Sequence, residues 1–173
     1  MAEALDPALP PEVDRLAASV LSLACERNQR LVTAESCTGG LLASLLTDVP
    51  GMSHAFERGF VTYTNDAKHE MLGVPTQVLD IDGPVSEICA RAMAEGALAH
   101  SRAQLAVSIT GYAEGAKDQP AGLVHFGCAA KGRPTVHRVE RYGEVGRAEV
   151  RIRALKTALT LLCEQLRDLA EAA

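Results

Sequence analysis

The chain has 173 residues, of which 47% are hydrophobic and 3% aromatic, and its formal net charge at pH 7 is −5. This length is typical of one domain that buries its own core without a disulfide or a structural metal. The acidic balance, the lack of a dense Lys/Arg block and the few aromatic side chains argue against a nucleic-acid-binding protein.

Cysteine and histidine usage indicates the compartment and the absence of a metal site. The five cysteines are widely spaced and form no C-x-x-C pair, which is typical of reduced thiols in a cytoplasm. The five histidines show no metal-ligand spacing. No apolar run reaches the ~20 residues of a membrane span. We therefore expect a cytoplasmic protein with no metal, no cofactor and no membrane partner. Residues 1–10 are predicted to be a flexible arm, and residues 11–173 a single α/β domain.

Hydrophobic periodicity and turn residues predict helices and strands that alternate and then give way to a run of strands. In chain order they are a helix from Pro10-Pro11, a strand over Leu31–Ala34, a helix to about Thr47, a strand over Phe56–Thr64, a helix capped by Thr64 or Asn65 and ending at Leu72, a helix from Ser86 to about Ser101, strands over Gln104–Thr110, Gly122–Ala130 and Thr135–Tyr142, and a helix from about Arg147 to Leu169. This order predicts a three-layer α/β/α fold with a mixed, mostly parallel central sheet. Ligands of such folds bind at the carboxyl ends of strands.

The strongest local signal is Thr33–Gly40, where a strand ends, hydroxyls follow and two glycines lead into a helix. Free backbone N–H groups near Thr38, Gly39 and Gly40 can hold an anion or a developing oxyanion. The simpler interpretation is that Ser36 or Thr38 only caps the helix. Judged on this pattern alone, capping is favoured by about two to one, because it is the commonest role of such residues.

Two weaker signals lie at other predicted strand ends. Tyr63 ends one strand and Lys68 lies in the first turns of the next helix, so both can face the same end of the sheet. Taken alone, Lys68 is equally a solvated surface charge and Tyr63 a half-buried packing residue. The glycines of Ser108–Gly115 can admit a ligand or simply form a turn.

Together these stretches resemble the CinA C-terminal domain family, which includes stand-alone nicotinamide-mononucleotide amidohydrolases. The resemblance runs from about Val13 to Leu166, and its sharpest part is the A-E-S-x-T-G-G motif at Ala34–Gly40. It continues in Tyr63–Lys68, Leu72–Val74, Gly83–Glu87, Ala92–Ala97 and Thr110-Gly111. Several matches in the right order are more specific than any one of them.

The resemblance implies hydrolysis of the carboxamide of nicotinamide mononucleotide to nicotinate mononucleotide and ammonia. It assigns the nucleophile to Ser36, the general base to Lys68 and a neighbouring role to Tyr63. The residues expected at the substrate are Glu35, Thr38, Gly39, Gly40, Thr110, Gly111 and Arg147. Glu35 is expected to act there as a structural hydrogen-bond acceptor. The family resemblance also implies a homo-oligomer that acts on a small nucleotide.

A Ser–Lys pair is chemically coherent only if the lysine loses its proton easily. The reference pKa of lysine is about 10.4, whereas a useful general base needs a pKa of roughly 7–8. Burial or a nearby positive charge must supply the difference, so we predict that Lys68 is substantially buried. Cys37 is the rival nucleophile, since a thiol is intrinsically more reactive than a hydroxyl.

The loop 112–122 departs from the family pattern, because Glu114-Gly115 replaces a Gly-Pro step. A carboxylate at position 114 can repel a substrate phosphate if it faces the site. Arg147 loosely matches a family arginine that can bind phosphate bidentately, or it is a solvated charge at a helix start. A hydrolase of another small amide and a binding protein without turnover therefore remain alternatives.

Overall fold

A computed structural model of the protein describes residues 9–171. Its helices are α1 (Pro11–Glu26), α2 (Leu41–Thr47), α3 (Asn65–Leu72), α4 (Thr76–Ile81), α5 (Glu87–Ala99) and α6 (Arg147–Glu171), and its strands are β1 (Leu31–Glu35), β2 (Phe56–Val61), β3 (Leu105–Gly111), β4 (Leu123–Ala130) and β5 (Val136–Arg141). The predicted N-terminal arm lies outside the described residues as far as residue 8. Leu9, the first described residue, packs against the core.

The five strands form one sheet in the order β2-β1-β3-β4-β5. Strand β1 pairs in parallel with β2 and β3, whereas β3–β4 and β4–β5 pair antiparallel, so only β4 runs against the others. All five residues of β1 are buried, as expected for an inner strand of a sheet covered on both faces. The predicted mixed, mostly parallel sheet is confirmed.

Helices cover both faces of this sheet. Helices α1, α2 and α6 pack on one face around side chains such as Leu21, Val107 and Leu159. Helices α3, α4 and α5 pack on the other face around Val32, Ala106 and Met93. Because successive strand residues point to opposite faces, Val32 and Ala106 belong to one layer and Val107 to the other. The predicted three-layer arrangement is therefore confirmed.

Helix α3 is held in position by its caps and by close packing on α5. Thr64 Oγ1 accepts a hydrogen bond from the Ala67 N–H at the N-terminus, and Gly73 ends the helix in the left-handed conformation with φ 69°. Gly96 of α5 lies against the Leu72 carbonyl, where an added Cβ would come within 1.9 Å of the carbonyl oxygen. A side chain at position 96 would thus push α3 away from α5.

Two local predictions need correction. Strand β2 ends at Val61 rather than Thr64, because β1 ends at Glu35 and the next carbonyls bind a lysine amine instead of a strand. Helix α4 was not predicted. Pro75 occupies the N-cap position of α4, two residues after Gly73, which ends α3.

Among residues 9–171, no helix combines the length and the apolar character that a membrane crossing requires.

Candidate active site

Ser36 lies directly beyond the end of the central strand β1. Its backbone N–H donates to the Ile109 carbonyl at 3.0 Å, which extends the pairing of β1 with β3 by one residue. The chain then turns through Gly39 and Gly40, both in the left-handed region with φ 63° and 93°. Only glycine adopts this conformation at low cost, so the two glycines allow β1 to pass directly into α2. Ser36 is 7% exposed.

Glu35, not a hydroxyl, caps the N-terminus of α2. Its fully buried carboxylate accepts hydrogen bonds from the N–H groups of Gly40 (3.2 Å), Leu42 (3.0 Å) and Ala43 (2.8 Å). Neither Ser36 nor Thr38 caps this helix, so the simpler interpretation of both hydroxyls is wrong. The carboxylate is a structural acceptor, as expected, and its bonds within the protein leave it unsuited to contact a substrate.

Lys68 projects from α3 toward Ser36 and is 1% exposed, so the predicted burial is confirmed. Its Nζ lies 3.1 Å from Ser36 Oγ, 3.0 Å from the Thr62 carbonyl oxygen and 3.3 Å from the Tyr63 carbonyl oxygen. All three partners are uncharged. Burial therefore lowers the pKa of the Lys68 amine below its ordinary value, because no carboxylate among residues 9–171 bonds to the ammonium form to offset the loss of water.

The three neighbours of Lys68 suit both protonation states of its amine. An ammonium group donates one hydrogen bond to each oxygen. A neutral amine has two N–H donors for the Thr62 and Tyr63 carbonyls and one lone pair that can accept the Ser36 hydroxyl proton. This arrangement can therefore take a proton from Ser36 without any movement of the heavy atoms.

Cys37 is poorly suited to be the nucleophile. The residue is 5% exposed, and burial raises the pKa of its thiol to about 11. Since the thiolate is the reactive form, almost none is present near neutral pH. The geometry favours Ser36 over its neighbour, in agreement with the role that the family resemblance implies for Ser36.

The predicted oxyanion donors need partial correction. The Gly39 N–H already donates to the Ser36 carbonyl at 3.1 Å, and the Gly40 N–H donates to Glu35. Within residues 9–171, the backbone N–H groups of Cys37 and Thr38 donate to no backbone carbonyl. The buried Thr38 Oγ1 likewise has no hydrogen-bond partner among the described residues. Free donors thus cluster on the two residues after Ser36.

Tyr63 reaches the site in two ways. Its backbone carbonyl binds Lys68, while its side chain is 66% exposed. The side chain lines a cavity of about 300 Å³ together with Cys37 and Gly111, at the low end of the volume range of small-molecule sites. No hydrogen bond joins the phenol to Ser36 or Lys68 in the described structure, so the ring is a wall of the cavity.

Of the two residues of β3 that were expected at the substrate, Thr110 holds the fold together and Gly111 lines the cavity. Thr110 is fully buried, and its hydroxyl donates to the Pro84 carbonyl at 2.6 Å, which ties the end of β3 to the segment before α5. That hydroxyl is therefore engaged within the protein. Gly111 lines the cavity, and a Cβ there would come within 2.7 Å of the Leu123 carbonyl oxygen on the neighbouring strand.

Arg147 and Glu114 form a two-pronged ion pair at the edge of the same cavity. Arg147 Nε lies 3.2 Å from one Glu114 carboxylate oxygen, and Nη2 lies 2.9 Å from the other. The hydrogen bond to Glu114 is the main reason why the pKa of the Arg147 guanidinium is raised. Arg147 is thus neither an unpaired solvated charge nor an arginine with a free guanidinium.

Arg151, one helical turn further along α6, is a contributor that the sequence analysis missed. Its Nε donates to the Cys37 carbonyl at 2.9 Å and so braces the turn that presents Ser36. The only available signal was its spacing of four residues from Arg147, which places both on one face of α6.

In the part of the chain that the structure describes, no three His, Cys, Asp or Glu side chains are grouped so that they could hold a metal ion.

Comparison with known proteins identifies relatives across most of the chain. The family model described as CinA C-terminal domain matches residues 13–166. A protein of Symbiobacterium thermophilum named putative competence-damage inducible protein is 52% identical over 72% of this chain and 28% of its own length. A protein of the same name from Caldicellulosiruptor bescii is 42% identical over 86% of this chain and 36% of its own length. The chain spans about a third of the length of the curated relatives it matches.

Two solved structures match the whole fold. The competence/damage inducible protein CihA from Agrobacterium tumefaciens superimposes with a TM-score of 0.88 at 43% identity, over 94% of this chain and 99% of that one. The competence damage-inducible protein A from Klebsiella pneumoniae gives a TM-score of 0.84 at 35% identity, over 90% of this chain and 97% of that one.

Proposed function

The chain belongs to the CinA C-terminal domain family, and from that premise we propose that it is an amidohydrolase in which Ser36 is the nucleophile and Lys68 the general base. The proposed substrate is nicotinamide mononucleotide, and the products are nicotinate mononucleotide and ammonia. Membership of the family makes a hydrolase a reasonable starting point, while the names of the relatives leave the reaction open.

One observation carries the proposal, namely the buried contact of 3.1 Å between Lys68 Nζ and Ser36 Oγ. A serine hydroxyl is a weak nucleophile without an adjacent base. A lysine can be that base when burial keeps a useful fraction of it neutral. A buried lysine is also costly for the fold, which argues against a purely structural role for Lys68, since its described hydrogen-bond partners are all uncharged.

In the first half of the reaction, neutral Lys68 accepts the hydroxyl proton as Ser36 Oγ attacks the carboxamide carbon. The resulting tetrahedral intermediate carries its negative charge on the former carbonyl oxygen. The N–H groups of Cys37 and Thr38 are the donors best placed in sequence to bind that oxygen. The protonated Lys68 then gives its proton to the leaving nitrogen, the C–N bond breaks, and ammonia departs from an ester on Ser36.

In the second half, water takes the place of ammonia. Lys68 is neutral again and accepts a proton from that water as its oxygen attacks the ester carbon. Collapse of the second intermediate breaks the bond to Ser36 Oγ, and Lys68 returns the proton to the serine. The carboxylic acid product then leaves. In this mechanism Lys68 makes every proton transfer, and the two N–H donors bind the oxyanion of each intermediate.

The choice of a mononucleotide rests on the family resemblance and on the cavity lined by Cys37, the residue that follows Ser36. A space of about 300 Å³ suits one small ligand. Tyr63 offers an aromatic wall for a pyridine ring, and Arg147 a guanidinium for a phosphate.

A second candidate is a hydrolase of another small carboxamide, and the Glu114–Arg147 pair is the observation that favours it. An arginine already held by a carboxylate is less available to a phosphate than a free one. A substrate without a phosphate would not need that arginine. A third possibility, binding without turnover, is separated from both by measurement of product.

We further propose that the protein works in the cytoplasm as a homo-oligomer. All five cysteines are free thiols, as a reducing compartment requires. Exposed apolar side chains such as Met71, Ile81 and Ile88, on the helices of one face, could pack against a second copy. Size-exclusion chromatography with light scattering tests this directly, and a monomer at micromolar concentration would contradict it.

The test of the reaction is stoichiometric. Nicotinamide mononucleotide should yield nicotinate mononucleotide and ammonia in equal amounts, with nicotinamide, nicotinamide riboside and simple aliphatic amides as the comparison panel. Faster turnover of an unphosphorylated amide would favour the second candidate. A folded protein that releases ammonia from none of them would favour a binding protein.

A further inference from the structure

The ion pair between Glu114 and Arg147 contributes little to the stability of the fold. The two side chains are 62% and 44% exposed, and exposed pairs of this kind add little stability because water and salt screen them. Arg147 is also the first residue of α6, where a positive charge opposes the helix dipole. Neither consideration gives the fold a reason for this arginine at this position.

The position of the pair relative to Ser36 is more informative. Both side chains line the cavity of about 300 Å³ that Cys37 and Tyr63 also line. Cys37 follows Ser36 directly, and the Tyr63 carbonyl binds the Lys68 amine. A ligand in this cavity would therefore lie next to the residue that follows Ser36 and would share the cavity with the guanidinium of Arg147.

We infer that Glu114 is the internal occupant of the Arg147 guanidinium, which the proposed function assigns to a substrate phosphate, and that this phosphate displaces the Glu114 carboxylate. Guanidinium binds carboxylate and phosphate with the same two-pronged geometry, so the two anions compete for one set of donors. This inference rests on the proposed function for the identity of the substrate. It makes Glu114 a residue that sets affinity for anionic substrates, without any part in the chemistry.

The exchange has a predictable cost in affinity. A site whose competent form is only partly populated binds its ligand more weakly in proportion to that fraction. An exposed ion pair of ordinary strength keeps the arginine occupied most of the time, which weakens ligand binding roughly two- to sixfold. Removal of the Glu114 carboxylate should restore this lost affinity. It should also remove the direct repulsion between the carboxylate and the incoming phosphate.

The variant Glu114→Gln tests this inference, and Glu144→Gln is its matched control. Glu144 is an exposed acid close to the start of α6, so its replacement removes the same charge without freeing Arg147. With nicotinamide mononucleotide as substrate, the KM of Glu114→Gln should be roughly two- to sixfold lower than the KM of the wild type, while kcat should stay the same. The control should leave KM unchanged.

Calorimetric titration with inorganic phosphate supplies a readout that does not depend on turnover. Phosphate should bind Glu114→Gln more tightly than wild type by the same factor, and binding should be lost in Arg147→Gln. Unchanged or weaker phosphate binding by Glu114→Gln would overturn the inference, since Glu114 would then position Arg147 rather than occupy it. An equal gain in Glu144→Gln would also overturn it, because the effect would be one of general charge.

The two proposals can fail separately. If no variant releases ammonia but Glu114→Gln binds phosphate more tightly, the proposed reaction is wrong and the anion site stands. If the wild type hydrolyses the mononucleotide but the phosphate titrations show no gain, the reaction stands and the exchange is wrong.

Discussion

The amine nitrogen of Lys68 lies 3.1 Å from the hydroxyl oxygen of Ser36 inside the protein, and no carboxylate in the described part of the chain bonds to this amine. Two elements meet to make this contact, because Ser36 follows the central strand β1 and Lys68 projects from α3. The same burial that lowers the pKa of the lysine makes the charged lysine costly to the fold. Activity and stability should therefore depend on pH through one group.

The rate of hydrolysis should rise with pH as Lys68 loses its proton. Its pKa is lowered by burial, so the midpoint of the rise in kcat/KM should lie below 10.5, the ordinary value for lysine. Lys68→Arg keeps a positive charge that cannot be lost near neutral pH and should reduce kcat at least about a hundredfold. Residual activity of Lys68→Arg with an unchanged pH profile would assign the base to another group.

The stability of the fold should also depend on the titration of Lys68. Between the lowered pKa of folded Lys68 and 10.5, the unfolded chain binds more protons than the folded one, so stability rises with pH. Lys68→Met lacks this group. Compared with the wild type, Lys68→Met should therefore be relatively most stable at low pH, and this relative stability should decline as pH rises toward 10.5. Urea unfolding of both proteins across this range measures the difference, and a difference independent of pH would contradict the lowered pKa.

Loss of the Glu35 charge should weaken the fold at the start of α2. A glutamine of the same shape retains one acceptor oxygen, but its amide group turns N–H donors toward backbone N–H groups. A buried donor without a partner costs about 1–3 kcal/mol, so Glu35→Gln should lose roughly that much stability. Glu144→Gln, on the exposed surface, should change stability by less than about 0.5 kcal/mol. Equal stabilities of the two variants would show that Glu35 does not anchor the helix.

Gly96→Ala should destabilise the protein although alanine is the better helix former. In a helix interior this change ordinarily adds up to about 1 kcal/mol of stability. Here the new Cβ would lie 1.9 Å from the Leu72 carbonyl oxygen, so α3 must shift. Overpacking of this kind costs typically about 1–3 kcal/mol. Since α3 carries Lys68, kcat should fall as well, and a variant that gained both stability and activity would contradict the contact.

The positions of the main elements could be predicted because the local signals agreed with one another. Thr64 and Ser86 cap their helices as their residue types suggest, and Gly73 ends α3. The largely apolar composition of β3 and β4, between turn residues, predicted their bounds to within one residue at each end. The burial of Lys68 was predicted from the chemistry a base requires, since nothing in its neighbourhood in sequence distinguishes it from a surface lysine.

The remaining features of the site depend on contacts between residues distant in sequence. Glu35 reaches across the turn to cap α2, a task the pattern assigned to Ser36 or Thr38. Arg151 binds the Cys37 carbonyl across more than half the chain, and Glu114 pairs with Arg147 across the loop and β4–β5. Local residue preferences carry no information on such pairs, because tertiary packing alone brings them together.

The measurement that tests the central claim most directly is ammonia release from nicotinamide mononucleotide by wild type, Ser36→Ala and Cys37→Ala. Ser36→Ala should lose at least about a thousandfold in kcat, as expected when a nucleophile is removed. Cys37→Ala should retain most of the activity, because the Cys37 thiol has a pKa of about 11. Undiminished ammonia release by Ser36→Ala, or loss of activity only in a folded Cys37→Ala, would contradict the assignment of Ser36 as the nucleophile.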